Sequence, residues 1–393
     1  MHILRGAIKR YDWGSRDAIP AILNIDPSDE PLAEYWLGAH PAGSAETDEG
    51  SLIDLIATHP SMVSARASED DEPRLPFMIK LLSASRPLSL QAHPNRADAQ
   101  AGFARENADD IPLDAAHRTF KDPWDKPELL VALSDFDALA GFRDPHLTLD
   151  LFDQLGVLSI LEPIIAPLRE REAAAGLAQV FLDFLILDKE RSDLLTSVVV
   201  AAVDHLDDPG PVGDFARTAV LLDQHFPSDP SLLAALLLNR KRLAPGEAIH
   251  IRPGQMHAYL SGTGVEILGN SDNVLRGGLT HKHIDPSALV KTVTFTPGMM
   301  PVLMPRDMGN GLWHYDAREQ AFTLWRAELN SDGIDLPASD RGRIVLITSG
   351  EAHLNADDRG YELVQGESAF VEAGEILRLS GTGQAFIAAS GVA

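Results

Sequence analysis

The chain has 393 residues, more than one domain normally holds, and its 45% hydrophobic and 23% charged residues are an ordinary globular balance. A formal net charge of −25 argues against nucleic acid or an anionic membrane as partner, since both demand a basic footprint. The absence of cysteine excludes disulfides, thiolate nucleophiles and thiolate zinc sites, so a metal must be held by histidine, carboxylate or amide oxygen.

The N-terminal stretch MHILRGAIKRYDWGS lacks a long apolar run, and no segment approaches 18 uninterrupted apolar residues, so a soluble cytoplasmic protein is expected. Between residue 1 and about 145, IPAILN, PFMIKLL, PLSLQAH, PELLVAL and FDALAGF read as short strands separated by Pro, Gly and Asp, with helical pieces between. In LSLQAHPNRAD, a strand from Arg86 to His93 sends Leu88, Leu90 and Ala92 to one face and Ser89, Gln91 and His93 to the other. That polar row either faces water or points into a barrel lumen, where Gln91 and His93 would share a cation; the local pattern fits both. In FKDPWDKPELLVAL, Pro127 cannot continue a ladder, which places Glu128 at the first residue of a strand, near a barrel rim. Beside Lys126 it is either half of a surface ion pair or the anionic member of a metal site.

From about 146 to 240 apolar residues recur at helical spacing, with Ala and Leu abundant and DDPGPVGD at a break, which marks a helical insertion. Short strands return after about 241, with a recurring Gly-Glu turn signature at Gly246, Gly350, Gly366 and Gly374. Strands of this kind with glycine-rich turns indicate a sandwich or jelly roll. Within GEAIHIRPGQMHAYLSGTGVEILGNSDNVLRGGLTHKH, Arg252–Gly254 is a turn, and QMHAYL is a strand with Gln255, His257 and Tyr259 on one face. Ser261 to Gly264 is read as a second turn, leading into VEIL with Glu266 as its outward alternate. The segment from about 316 to 393 reads as another barrel, whose one histidine, His353, belongs to no cluster.

Two imidazoles, a carboxylate and an amide oxygen suit Zn²⁺, and their 2-His-1-carboxylate core also suits Fe²⁺. The stretches EYWLGAHPAGSA, KLLSASRPLSLQAHPN, KDPWDKPELLVAL and HAYLSGTGVEILGNSDNVLRGGLT together resemble the type I mannose-6-phosphate isomerases of the cupin superfamily, over most of the chain. The resemblance implies a mainly β fold of two cupin-like jelly-roll barrels plus an α-helical domain. Residues 1–145 and 241–315 would form the metal-binding catalytic domain, 146–240 the helical insertion, and 316–393 a barrel without metal. It implies one Zn²⁺ on Gln91, His93, Glu128 and His257, other divalent metals being possible. It further implies catalytic roles for Arg276, Lys126 and Asp272, and a sugar-phosphate pocket that includes Ser89 and Lys282; Glu266 and Trp13 complete the candidate substrate-binding set. Two positions depart from the family pattern. Asp125 stands where many members have a histidine proposed for ring opening, and His281 stands where a proline usually precedes Lys282.

The activity so implied is interconversion of mannose 6-phosphate and fructose 6-phosphate through a cis-enediol(ate), which requires a base and a group to hold a developing oxyanion. Asp272 or a metal-bound water is the candidate base. The rivals are an isomerase of an unphosphorylated aldose or another sugar phosphate, an iron-dependent cupin oxygenase, and a non-catalytic sugar-binding protein. Monomer and homo-oligomer are both compatible with the sequence.

Overall fold

The structure, a computed structural model, describes the chain except residues 28, 66–72, 188–191, 357–358 and 392–393. Two large antiparallel sheets dominate it. The first has ten strands, with the path Leu238–Leu243, Phe136–Phe142, His257–Gly269, Phe77–Ala84, Glu34–Gly38 and Ala7–Lys9. Glu128–Ala132, Ala248–Ile251, Leu90–Ala92 and Leu275–Gly278 join it off that path. The second sheet has nine strands and is centred on Arg343–Ala356 and Leu377–Ala389.

The apolar runs PELLVAL and RIVLIT read as near-continuous because both faces of each strand are covered. Leu129, Val131, Val265 and Ile267 of the first sheet share one core with Ile344, Leu346, Phe386 and Ala388 of the second. Their alternates turn to the interior of their own sheet: Leu130 and Ala132 in the first, Val345 and Ile347 in the second. A third core lies beneath the helices between Pro145 and Ala235, where Phe152, Leu161, Phe181 and Leu222 pack on Leu90, Ala92, Met256, Ala258 and Leu275. The helical layer thus covers one face of the strands that carry Gln91, His257 and Arg276, and strand alternation turns those three side chains to the other face.

Several sequence expectations need correction. IPAILN is not a strand but the core of the helix Ala18–Leu23: Pro20 falls in the first turn, where no amide is needed, and Asn24 closes the helix in the left-handed region at φ 52°. The strand expected over Arg86–His93 is confined to Leu90–Ala92 between Pro87 and Pro94, although the Leu88 amide still reaches Tyr259 O at 2.8 Å. Ser261–Gly264 does not reverse the chain. His257–Gly269 is one strand of 13 residues that shifts register between Tyr259 and Ser261 and exchanges Phe136–Phe142 for Phe77–Ala84 and Glu128–Ala132 as its partners. Gly262, at φ 123° with Phe136 Cδ2 2.6 Å from where a Cβ would stand, permits that bend.

Of the Gly-Glu signatures, Gly246, Gly366 and Gly374 lie in turns, whereas Gly350 lies inside the strand Arg343–Ala356 just past a register shift. The second sheet also starts before residue 316. Arg306–Gly309 and Leu312–Tyr315 form a hairpin at its edge, and His2–Leu4 pairs with Ser368–Val371 at the opposite edge. Among the described residues, no helix is long and apolar enough to cross a membrane.

Candidate active site

Gln91 is in register with His257 on one side and Arg276 on the other, so three neighbouring strands present these side chains in a row. His93 follows one residue after its strand ends. Its carbonyl accepts from the Gly254 amide at 2.7 Å, so the Arg252–Gly254 turn that leads to His257 also fixes the backbone of His93. Glu128 opens the strand Glu128–Ala132, the position that Pro127 requires. On the second side the loop NSDN is tied to the KDPWDKPE loop. Ser271 Oγ donates to Asp122 Oδ1 at 2.8 Å, and Asn273 Nδ2 donates to Asp122 O at 2.7 Å and Trp124 O at 2.8 Å.

These elements bring His93, Glu128 and His257 together, all buried, with one potential ligand atom from each lying within 4.8 Å of the others. His93 Nε2 is 3.1 Å from Glu128 Oε1, and His257 Nε2 is 3.4 Å from Oε2. Both Nδ1 atoms face backbone carbonyls, Asn273 O at 2.7 Å and Gln255 O at 3.2 Å, which fixes Nδ1 as the protonated nitrogen and leaves the Nε2 lone pairs directed at the carboxylate. His93 Nε2 is buried without a hydrogen-bond partner, because an unprotonated nitrogen has nothing to donate to the carboxylate. Burial pushes the His93 imidazole down to about 4, helped by Lys126 and opposed by the charge of Glu128, so it is neutral. Burial would raise the Glu128 carboxyl, but His93 and Lys126 outweigh it and hold it low; Lys126 Nζ is 3.2 Å from Oε1. Neutral nitrogens, an ionised carboxylate and an orphaned buried lone pair are the donor set of a divalent-cation site and fit zinc.

A cavity of about 630 Å³ opens at Arg276, on the strand next to that of Gln91, lined by Tyr11, Asp272, Lys121, Lys282 and Asp285 among others; Gln91, His93, Lys126, Glu128 and His257 are not among its lining residues. Arg276 Nη1 donates to Ser89 Oγ at 2.8 Å, tying the cavity wall to the Gln91 strand. Lys282 is exposed on the wall, its ammonium lowered first by the charge of Arg276, then by burial and Lys121. Asp272 stands 3.4 Å from His40 Nε2. Trp13 is half-buried, stacks on Tyr11 at 5.5 Å and packs on the core that contains Tyr259.

Glu266 is not an outward residue. It is buried, accepts from Tyr259 Oη at 2.9 Å and lies 3.6 Å from Lys80 Nζ, directly across the ladder. Burial, then the charge of Glu128, pushes its carboxyl up to about 7. Lys80 also reaches Glu34 at 3.4 Å, and these acids outweigh burial to keep it cationic. Lys80, Glu34 and His40 are missing from the sequence expectation, which has Tyr259 only as a neighbour of His257 on its face. The one signal for them was a lysine set inside the apolar run PFMIKLL.

Comparison with known proteins accounts for this arrangement. Residues 1–145 match the family model of the phosphomannose isomerase type I catalytic domain. The chain is 35% identical to the mannose-6-phosphate isomerase of Salmonella typhimurium, with 98% of each chain covered. It is 34% identical to that of Escherichia coli, covering 95% of each, and 28% identical to that of Saccharomyces cerevisiae, covering 94% and 92%. Among solved structures, it superposes with a TM-score of 0.88, at 32% identity and full coverage of both chains, on a mannose 6-phosphate isomerase bound with zinc and yttrium. The apo form of the Salmonella typhimurium enzyme superposes with a TM-score of 0.88 at 32% identity. With sequence, fold and a buried His-Glu-His cluster in agreement, the chain belongs to the type I phosphomannose isomerase family.

Proposed function

We propose that this protein interconverts mannose 6-phosphate and fructose 6-phosphate at the His93–Glu128–His257 centre, with Zn²⁺ as its metal and Gln91 as the fourth, neutral ligand. The convergence of those three buried donors carries the reading, with Arg276, on the strand beside that of Gln91, joining Lys121 and Lys282 in a cavity wall. A zinc ion there supplies Lewis-acid polarisation of substrate oxygens and positive charge for an enediolate. The protein's own groups do the rest. Arg276, on the row of Gln91 and His257, holds developing negative charge with fixed geometry. Lys126, 3.2 Å from Glu128, reaches a substrate oxygen on the same side, and Asp272 on the cavity wall moves protons. Lys282, with Ser89 as a hydroxyl donor, receives the phosphate; Trp13 and Glu266 support the pocket from behind, through Tyr11 and Tyr259.

The architecture fits two cupin-like jelly-roll barrels joined by a helical insertion: residues 1–145 and 241–315 with the metal, 146–240 helical, and 316–393 without metal, with His2–Leu4, Arg306–Gly309 and Leu312–Tyr315 lent to the sheet of the last. A cytoplasmic setting suits a sugar-phosphate substrate and a chain without cysteine. A coupled assay for fructose 6-phosphate formation from mannose 6-phosphate, before and after chelation, tests the proposal. Turnover that survives full removal of metal sinks the metal centre, and absence of turnover by the zinc-loaded protein sinks the activity.

A further inference from the structure

The loop that carries Lys282 leaves the first sheet through one strained residue. The strand Leu275–Gly278 ends in two glycines, and Leu279 follows at φ 53°, a left-handed conformation that is costly for a residue with a Cβ. Glycine would adopt it freely, yet the chain sets there a leucine that is 1% exposed. Two restraints hold it. Its side chain lies in the core beneath the helices, with Phe181, Leu232 and Leu233. Its amide donates to Ser231 Oγ at 2.6 Å, and Ser231 Oγ donates to Asp229 Oδ1 at 2.5 Å. The bond to Asp229 engages the hydroxyl proton and so turns an oxygen lone pair toward Leu279. Ser231 is itself buried, and so close to the strand that a Cβ on Gly278 would stand 2.2 Å from Ser231 Cβ. It opens the helix Ser231–Ala235, so this latch comes from the helical region and not from either sheet.

Beyond Leu279 the loop is held by local bonds. Thr280 Oγ1 accepts from the Lys282 amide at 3.1 Å, and Asp285 accepts from the Ala288 amide at 3.0 Å, where the helix Pro286–Thr292 begins. Between Thr280 and Asp285, the residues His281, Lys282 and His283 are exposed and line the cavity. A residue with a Cβ is kept in a sparsely populated conformation only where its surroundings over-determine it, and such residues gather at functional sites. We propose that Ser231, oriented by Asp229, is a positioning residue for phosphate recognition: it holds Leu279 left-handed and so sets where Lys282 stands on the cavity wall. The helical region thereby shapes substrate selection, although the described residues lining the cavity all come from outside it. Ser231 touches no substrate. The inference rests on the reading of Lys282 as the partner of the phosphate.

KM and kcat of the zinc-loaded protein at low salt separate this role from a general structural one. Ser231→Ala leaves the buried Leu279 amide without its acceptor, so the loop should lose its set direction. KM for mannose 6-phosphate should rise about three- to fivefold, up to the loss expected from removing the exposed charge of Lys282, with kcat and zinc content unchanged. In the Lys282→Ala background the same change should cost little further, because both act on one contact. Asp229→Asn, which keeps an acceptor for the Ser231 hydroxyl, should behave as the unaltered protein. Asp229→Ala should raise KM part of the way, and it carries the test if Ser231→Ala does not fold. A normal KM in folded Ser231→Ala or, failing that, in Asp229→Ala overturns the inference. So does a fall in kcat or a loss of zinc together with the rise in KM, and so do additive losses with Lys282→Ala. A normal KM in Lys282→Ala sinks the phosphate reading beneath it, and absence of turnover by the unaltered protein sinks the isomerase reading; either removes the inference as well.

Discussion

The strands His257–Gly269 and Leu377–Ala389 each run 13 residues through one of the two sheets, and both lay one face on the shared apolar core. Their inner faces differ. Leu377, Leu379, Ala385 and Ile387 fill the second sheet with hydrocarbon, whereas His257, Tyr259 and Glu266 line the first with polar groups. A polar interior is tolerable only if every buried group finds a partner. The first sheet provides them in a chain from Tyr259 to Glu266, Lys80 and Glu34, with Trp36 donating to Glu34 at 2.9 Å. His93 Nε2 is the exception among the centre's groups, and it is the atom directed at the metal position. The same sheet architecture therefore serves as a scaffold or as a reaction vessel according to what its inward alternates are.

The sharpest way to break this contrast is to remove a ligand. His257→Ala or His93→Ala should abolish bound zinc and lower turnover by at least about 10³-fold, the several kcal/mol a Lewis acid supplies. Gln91→Ala should weaken zinc less, because a neutral amide brings no charge. His353→Ala, in the second sheet, should leave metal stoichiometry by mass spectrometry untouched. Zinc retained in His257→Ala would move the centre elsewhere. Next in size is Arg276→Ala, which should lower kcat by about 10²–10³ with metal still bound, the usual loss for one preorganised oxyanion donor. A loss confined to KM would make Arg276 a phosphate clamp. Ile387→Ala should produce the converse result. Truncating this fully buried side chain should cost about 2–5 kcal/mol in chemical denaturation, while kcat of the folded protein stays unchanged. A drop in kcat there would mean that the second sheet shapes the active site.

Local chemistry made much of the centre legible. Pro127 fixed Glu128 as the start of a strand, and alternation set Gln91 beside His93 and His257 beside Tyr259, but their reading as one metal site came from the family resemblance. The helical region was visible in its spacing. What escaped depends on pairing across long separations. Nothing in MHIL announces an edge strand against Ser368–Val371, and glycines in SGTG mark a bend as readily as a reversal. His40 meets Asp272 only through the folded loops, and Lys80 meets Glu266 only through the ladder. Glu266 in particular reads as an outward residue until its covering layer is known.

That buried acid offers a smaller test, by pH. The folded Glu266 carboxyl titrates near 7 and the ordinary value is 4.5, so the fold holds a proton that the unfolded chain has lost. The stability it adds is fully present below about 4.5 and is lost as pH rises through about 7. In chelated protein, the melting temperature should fall across this window by more than in Glu266→Gln, whose amide copies the protonated acid. Parallel profiles for the two proteins would show that Glu266 is ionised throughout, neutralised by Lys80.

The smallest effect concerns the phosphate. A net charge of −25 repels a dianionic substrate on average, so the cavity must reverse the field locally. Lys282 is placed to do so: it shares the wall with Arg276, and the lowering of its ammonium by that guanidinium is the signature of a positive enclave that an anion would relieve. Yet Lys282 is exposed, so the contact proposed for it with phosphate would be that of a flexible, solvated point charge. Such pairs are worth up to about 1 kcal/mol, or about fivefold in KM. Lys282→Ala should therefore raise KM for mannose 6-phosphate about fivefold in low salt, with kcat unchanged. The difference should shrink toward none near 1 M salt, where the screening length falls to about 3 Å. A KM effect that persists in high salt would show a buried, directional bond in place of an exposed charge. Equal efficiency of the unaltered protein on mannose and mannose 6-phosphate would remove phosphate from the recognition altogether and favour an unphosphorylated aldose as substrate.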